Sequence, residues 1–187
     1  MPGRGEGSQK LGRGIHATRP PLPVIMSIGV ALAAVAGADP VPLLVAAMGP
    51  QALRATGELA DGTLPFLAGP KVLADEIVPA ITAAAGGNPR VVAFVAGVVT
   101  SDIDRLRATA LERLAFYDRI PSYQRVIGLA GASRAGEVAV IGDEETAAAE
   151  VRRYFDAGAT EVVFTQTDLG SADDQRRTWK LLGELAR

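Results

Sequence analysis

The chain has 187 residues, 48% hydrophobic and 21% charged, with a formal net charge of -2. That length supports one domain with a sizeable core, and that charge gives no electrostatic footprint for nucleic acid. With no cysteine, disulfides, a thiolate metal site and a cysteine nucleophile are excluded, which fits a reducing cytoplasmic setting.

Residues 1–27 carry Arg4, Lys10, Arg13 and Arg19 against Glu6, a balance of +3 that leaves -5 for the remainder. Met1 to Pro23 is rich in Gly, Pro and Arg without periodicity and reads as disordered. The division expected is therefore a basic tail over 1–27 and one α/β domain over 28–187. The apolar run at 24–36, with a basic flank and small residues at Ala34 and Ala36, imitates a secretory signal. Gly29 and the Pro20-Pro21-Leu22-Pro23 lead-in are poor for an apolar helix, so the run is read as a false positive. It is too short to span a bilayer, and no membrane partner is expected. His16, the single histidine, reads as solvated rather than catalytic.

From Val41 an apolar run of strand length stops at Met48-Gly49. Pro50 then stands where a helix begins, since its fixed φ suits that place and its missing N–H is not needed there. Leu53, Thr56, Gly57 and Ala60 follow at helical spacing, a face expected to lie against the strand. Such a strand–turn–helix offers free N–H groups and a positive dipole end, a seat for phosphate. Thr63 to Leu67 reads as a short strand with Pro65 at an edge or bulge. Gly69-Pro70 opens a helix with the stripe Leu73, Ile77, Ile81 and Ala84, ended by Gly86-Gly87-Asn88-Pro89.

Val91 to Val99 is apolar on both faces, as in a parallel sheet covered by helices. Ser101 or Asp102 caps a helix with core residues Ile103, Leu106, Ala110 and Leu114, and Pro121 opens a new segment after Tyr117. Val138 to Ile141 is a short strand. Asp143 is an N-cap, and the acids after it complement the helix dipole rather than bind metal. Glu161 to Gln166 is the last strand, followed by a helix begun by Asp173 and Asp174 that buries Trp179, Leu182 and Leu185. The alternation gives four βα units and a parallel sheet with right-handed crossovers. No Ser-His-Asp set, metal cluster, Walker loop or dinucleotide fingerprint is present.

Ala46-Ala47-Met48-Gly49-Pro50, Leu53 and Gly57-Glu58-Leu59-Ala60-Asp61-Gly62 closely resemble the luciferase-like monooxygenase family, in particular its coenzyme F-420-dependent branch. The resemblance continues through Phe116-Tyr117, Pro121-Ser122-Tyr123, Ile141-Gly142-Asp143-Glu144 and Asp156 to Thr160. It implies a TIM-barrel-like (β/α)8 fold of which this chain carries the C-terminal half, a partial barrel in truncated form. It also implies an oxidoreductase that transfers hydride between a deazaflavin (coenzyme F-420, with FMN as the alternative) and a small-molecule substrate. Ala46, Ala47, Met48, Gly49 and Pro50 would contact the coenzyme. Tyr117, Ser122 and Tyr123 fall where the family's barrels carry an insertion beside the active site, so they are either substrate-side or simply half-buried in a helix–turn–helix. The competing reading of the whole chain is a non-catalytic half-barrel acting as a binding module. Half a barrel has two unpaired strand edges and an uncovered inner face, so side chains of Val91–Val99 are expected to meet water unless a second copy or a complementary chain, the favoured outcomes, or the segment from Val24 to Val35 covers them.

Overall fold

The computed structural model describes residues 41–187. The basic tail, the signal-like run and His16 lie outside these residues. Five parallel strands form one sheet: β1 (Leu44–Val45), β2 (Gly62–Thr63), β3 (Arg90–Val99), β4 (Val140–Gly142) and β5 (Glu161–Thr165). β1 pairs with β2, β2 with β3, and β3 with β5, so the main strands lie side by side in chain order. That order is one wall of a barrel, whereas a doubly wound sheet reverses direction.

The strand β3 organises the rest. On one edge its N–H groups at Arg90 and Phe94 donate to Asp61 O and Pro65 O; on the other, Val91 O accepts from Thr160 N. Thr100 N–H, in phase with Arg90 and Phe94, donates to Gly142 O, so the short β4 extends the edge that β2 leaves. Side chains alternate as a strand requires. Val91, Ala93, Val95 and Val99 enter one core, with Leu73, Ile77 and Ile81, Ala147 and Ala148, and Leu181. Ala96 and Val98 enter a second, with Leu106, Ala110, Leu114 and Ile127. This corrects the expectation that β3 would meet water. The segment after it, α3 (Ile103–Arg113) and α4 (Pro121–Leu129), folds back over its second face. Exposed apolar surface sits instead on β5, where Val163 is 36% exposed.

The helix α1 (Pro50–Leu59) starts at Gly49 with Pro50 in its first position. Its Gly57 faces residues 70–84 rather than the strand: a Cβ there would stand 2.7 Å from Ile81 O and 2.8 Å from the Ala84 Cβ. Residues 70–84 form α2, made of Pro70–Val72, a π turn Leu73–Ile77 and Val78–Ala84. Pro79 has no N–H to continue the helical ladder, and Val78 N–H reaches back to Leu73 O, which widens that turn. The predicted stripe survives, since Leu73, Ile77 and Ile81 are fully buried.

The helix α5 (Glu144–Asp156) is capped by Asp143, whose side chain accepts Thr146 N–H at 2.9 Å. The last helix, α6 (Ala172–Leu185), is capped by Ser171 in a reciprocal pair with Asp174. Its inward face is Asp174, Thr178 and Leu181; Trp179 is 56% exposed and Leu185 40% exposed, against the sequence expectation. Polar bonds set this rotation. Asp174 Oδ2 accepts from Ser171 N–H and its hydroxyl, and Thr178 Oγ1 accepts Val99 N–H at 2.8 Å while donating to Asp174 O. Trp179, one residue past Thr178, is turned roughly 100° away by the helix repeat.

Gly62 fixes the approach of β2 to β3, because a Cβ on it would lie 2.1 Å from Arg90 O. We expect Gly62→Ala to lower the unfolding free energy by about 2 kcal/mol or more. Gly86→Ala, with nothing within 4 Å of the added carbon, should stay within about 0.5 kcal/mol of the parent. Urea denaturation of both variants checks the contrast.

Candidate functional site

In a sheet of this kind ligands sit at the C-terminal strand ends. After β1 that end is Ala46 to Pro50, and the buried Thr63 at the end of β2 shapes it. The Thr63 hydroxyl lies 2.9 Å from both Val45 O and Ala47 O, and Ala47 N–H donates to it at 3.3 Å. Ala47 N–H also donates to Val45 O at 2.8 Å, so that N–H is engaged within the turn. Among the described residues the N–H groups of Met48, Gly49, Gln51 and Ala52 have no acceptor, as expected where a helix begins. Ala46 and Pro50 are exposed at the two ends of the turn, Ala47 is buried, and Met48 and Gly49 are half-buried. Among the described residues nothing lies within 4 Å of a Cβ built on Gly49, so the turn has room over it there.

The inserted helices reach this turn. Arg125 of α4 donates to Met48 O at 3.4 Å and pairs with Glu76 of α2 at 2.8 Å. Two residues earlier, Tyr123 packs edge-on against Tyr117, with centroids 4.8 Å apart. Both rings meet Phe66, just beyond β2, at 5.2 Å for Tyr117 and 6.2 Å for Tyr123. The structure thus brings Tyr117 and Tyr123 to a strand end, half-buried. Neither hydroxyl has a partner among the described residues. Burial, and secondarily the neighbouring Tyr117, push the Tyr123 phenol above its ordinary value, so it stays a neutral donor. Ser122 is exposed and makes no hydrogen bond among the described residues. Phe116 adds an exposed ring at 5.6 Å from Tyr117.

Backbone strain gathers at the same strand ends. Leu67, one residue past Phe66, has φ of 57°, and Gln166, one residue past β5, has φ of 56°; each is left-handed without being glycine. The insertion itself is pinned by Asp118, which accepts Ala135 N–H at 2.7 Å and Arg134 Nε at 3.1 Å. The Ala135 N–H, then Arg134, hold its carboxyl below the ordinary value against some burial. At the end of β3, burial raises the Asp174 carboxyl, but Ser171, Thr100 and Arg177 together hold it below its ordinary value. Arg177 also grips Glu144 through two bonds of 2.8 Å. No group of acids and histidines suited to a metal ion occurs among the described residues, and no helix there is long and apolar enough to cross a membrane.

Sequence reasoning missed Thr63, Phe66 and Arg125. Thr63 and Phe66 could have been found from the strand ending beside them; Arg125 carried no signal, since its role depends on how α4 folds back.

The luciferase-like monooxygenase family model matches residues 16–176. No curated protein matches the chain. Among solved structures, an F420-dependent secondary alcohol dehydrogenase bound to an F420-acetone adduct is similar at 22% identity and TM-score 0.54, over 67% of this chain and 43% of that one. The coenzyme F420-dependent tetrahydromethanopterin reductase from Methanopyrus kandleri is similar at 21% identity and TM-score 0.53, over 77% of this chain and 49% of that one. The apo form of MsnO8 is similar at 22% identity and TM-score 0.52, over 80% and 52%. At these identities the likeness shows the fold, a TIM-barrel-like α/β architecture present here as a partial barrel. The chain spans about half the length of the structures it matches.

Two outcomes follow from this geometry. Thr63→Val keeps the shape but leaves Ala47 O without its hydroxyl donor, while Val45 O keeps the N–H groups of Ala47 and Leu64, and should lower stability by about 1–3 kcal/mol in chemical denaturation. The carboxyls of Asp118, Asp143, Glu144 and Asp174 are all depressed in the fold. Their stabilisation is therefore complete above the unfolded carboxylate range and is lost as pH falls through the lower folded values. Circular dichroism should show a level plateau from about pH 8 to 5 and unfolding below about pH 4, with a shallower acid limb in Asp174→Asn.

Proposed function

The chain belongs to the luciferase-like monooxygenase family, and on that premise we propose that it binds coenzyme F-420 at the turn Ala46–Pro50. Its reaction is hydride transfer between the coenzyme and a small organic substrate held beside Tyr117, Ser122 and Tyr123. The observation that carries this is the turn itself: N–H groups without partners among the described residues at Met48, Gly49, Gln51 and Ala52, room over Gly49, and the Arg125 guanidinium alongside. Together they suit an anionic coenzyme tail. When bound, the deazaflavin supplies the hydride acceptor or donor. The chain's own residues bind and orient. Thr63 holds the turn's carbonyls inward so that its N–H groups face out. Tyr123 presents a protonated phenol, and the aromatic group around Phe66 keeps water from that strand end. Flavin mononucleotide, as in a flavin-dependent monooxygenase, is the alternative occupant, because the same N–H groups suit its phosphate.

A second reading, a binding module without catalysis, is favoured by β5. Val163 is 36% exposed, and the outward N–H and C=O groups of Glu161, Val163 and Thr165 meet no partner among the described residues. On either reading a second copy, a complementary chain or the segment from Val24 to Val35 would cover that edge.

Titration of the purified chain with coenzyme F-420 and with flavin mononucleotide, followed by absorbance, tests the proposal. Saturable binding is expected, tighter for the deazaflavin, and Gly49→Asp should weaken it at least tenfold by setting a carboxylate against the tail. No binding of either coenzyme removes the redox reading and leaves the binding module. Unaltered affinity in Gly49→Asp removes the turn as the seat.

A further inference from the structure

A cleft of about 320 Å³ lies between the start of α2, the end of α4, the approach to β4 and the helix α5. None of its lining residues belongs to the turn Ala46–Pro50 or to the aromatic group, so it is a separate place from the coenzyme site. Its polar lining is unusual in what is left unused. Tyr154 is only 2% exposed, and its hydroxyl has no hydrogen-bond partner among the described residues. Burial, with the Glu150 carboxylate next in weight, pushes that phenol well above its ordinary value, so it is a permanent donor. A donor without a protein acceptor at the wall of a cleft is available to whatever the cleft holds.

The acids in the lining are already engaged. Glu150 pairs with Arg153 at 2.5 Å, and Glu137 accepts the N–H groups of Ser133 at 2.8 Å and Arg134 at 3.3 Å. Arg107, by contrast, pairs with no carboxylate among the described residues. What remains is the Tyr154 phenol, the Thr146 hydroxyl and the Arg107 guanidinium, set in walls of Ala130, Val138 and Ile141. A dianion would put its second charge near Glu137 or Glu150. A neutral molecule would leave Arg107 unanswered.

We propose that this cleft binds a small monocarboxylate with an apolar body, its carboxylate paired with Arg107 and an acceptor oxygen taking the Tyr154 hydroxyl. The site is independent of the coenzyme reading and would stand if that reading failed.

Benzoate is the probe, titrated into the full chain by isothermal calorimetry with benzyl alcohol as its neutral counterpart. Saturable benzoate binding is expected, at least tenfold tighter than benzyl alcohol. Tyr154→Phe, which removes only the hydroxyl, and Arg107→Gln, at an exposed position, should each weaken benzoate at least fivefold while leaving the melting temperature nearly unchanged. If Tyr154→Phe fails to fold, Arg107→Gln alone decides. Absence of saturable binding overturns the proposal. So does benzyl alcohol binding as tightly as benzoate, or benzoate affinity that survives Arg107→Gln.

Discussion

The structure depends on one strand being satisfied on all four sides. β3 has a partner along both edges, and its alternate side chains enter two separate cores. The nine uncharged residues that follow Arg90 in this strand are stable only under such cover, since each large apolar side chain left in water forfeits roughly 1.5–3 kcal/mol. Arg90 at its start is bound twice over to Glu161 at the start of β5. That pair is half exposed and adds little energy; it sits at the start of the ladder in which the two longest strands meet. Once β3 is placed, β2 and β1 follow outward in order, and the turn after β1 is delivered to the C-terminal end of the sheet.

The way the second face of β3 is covered connects the fold to the site. Leu106 and Ala110 of α3, Leu114 just after it and Ile127 of α4 lie over Ala96 and Val98. The same fold-back carries Tyr117 and Tyr123 to Phe66 and Arg125 to Met48. Apolar packing thus places polar groups whose positions no local rule specifies. Gly136 shows how tight the arrangement is, because a Cβ on it would fall 2.5 Å from Leu111 N.

Much of this was legible in the residues. Pro50 and Asp143 began helices where local chemistry requires, and the apolar run at Val91–Val99 announced a strand covered on both faces. The family likeness at Ala46–Pro50 led to the partial barrel. Trp179 and Leu185 were misread because hydrophobic spacing was allowed to orient α6, whereas the bonds of Asp174 and Thr178 to neighbouring elements do so. Gly57 was assigned to the strand because the close crossing of α1 on α2 leaves no mark in either helix alone. Thr63 stood at a strand end where it could have been sought, whereas Arg125 acts through contacts with residues far apart in the chain, so composition and spacing held no sign of it.

We propose that the N–H groups opening α1 receive the coenzyme. Amide resonances of the isotope-labelled chain, followed as coenzyme F-420 is added, test it most directly. Met48, Gly49, Gln51 and Ala52 are expected to show the largest shifts and slowed hydrogen exchange, with smaller changes at Tyr123 and Arg125. Shifts concentrated at other strand ends, or a spectrum unchanged by saturating coenzyme, would contradict it.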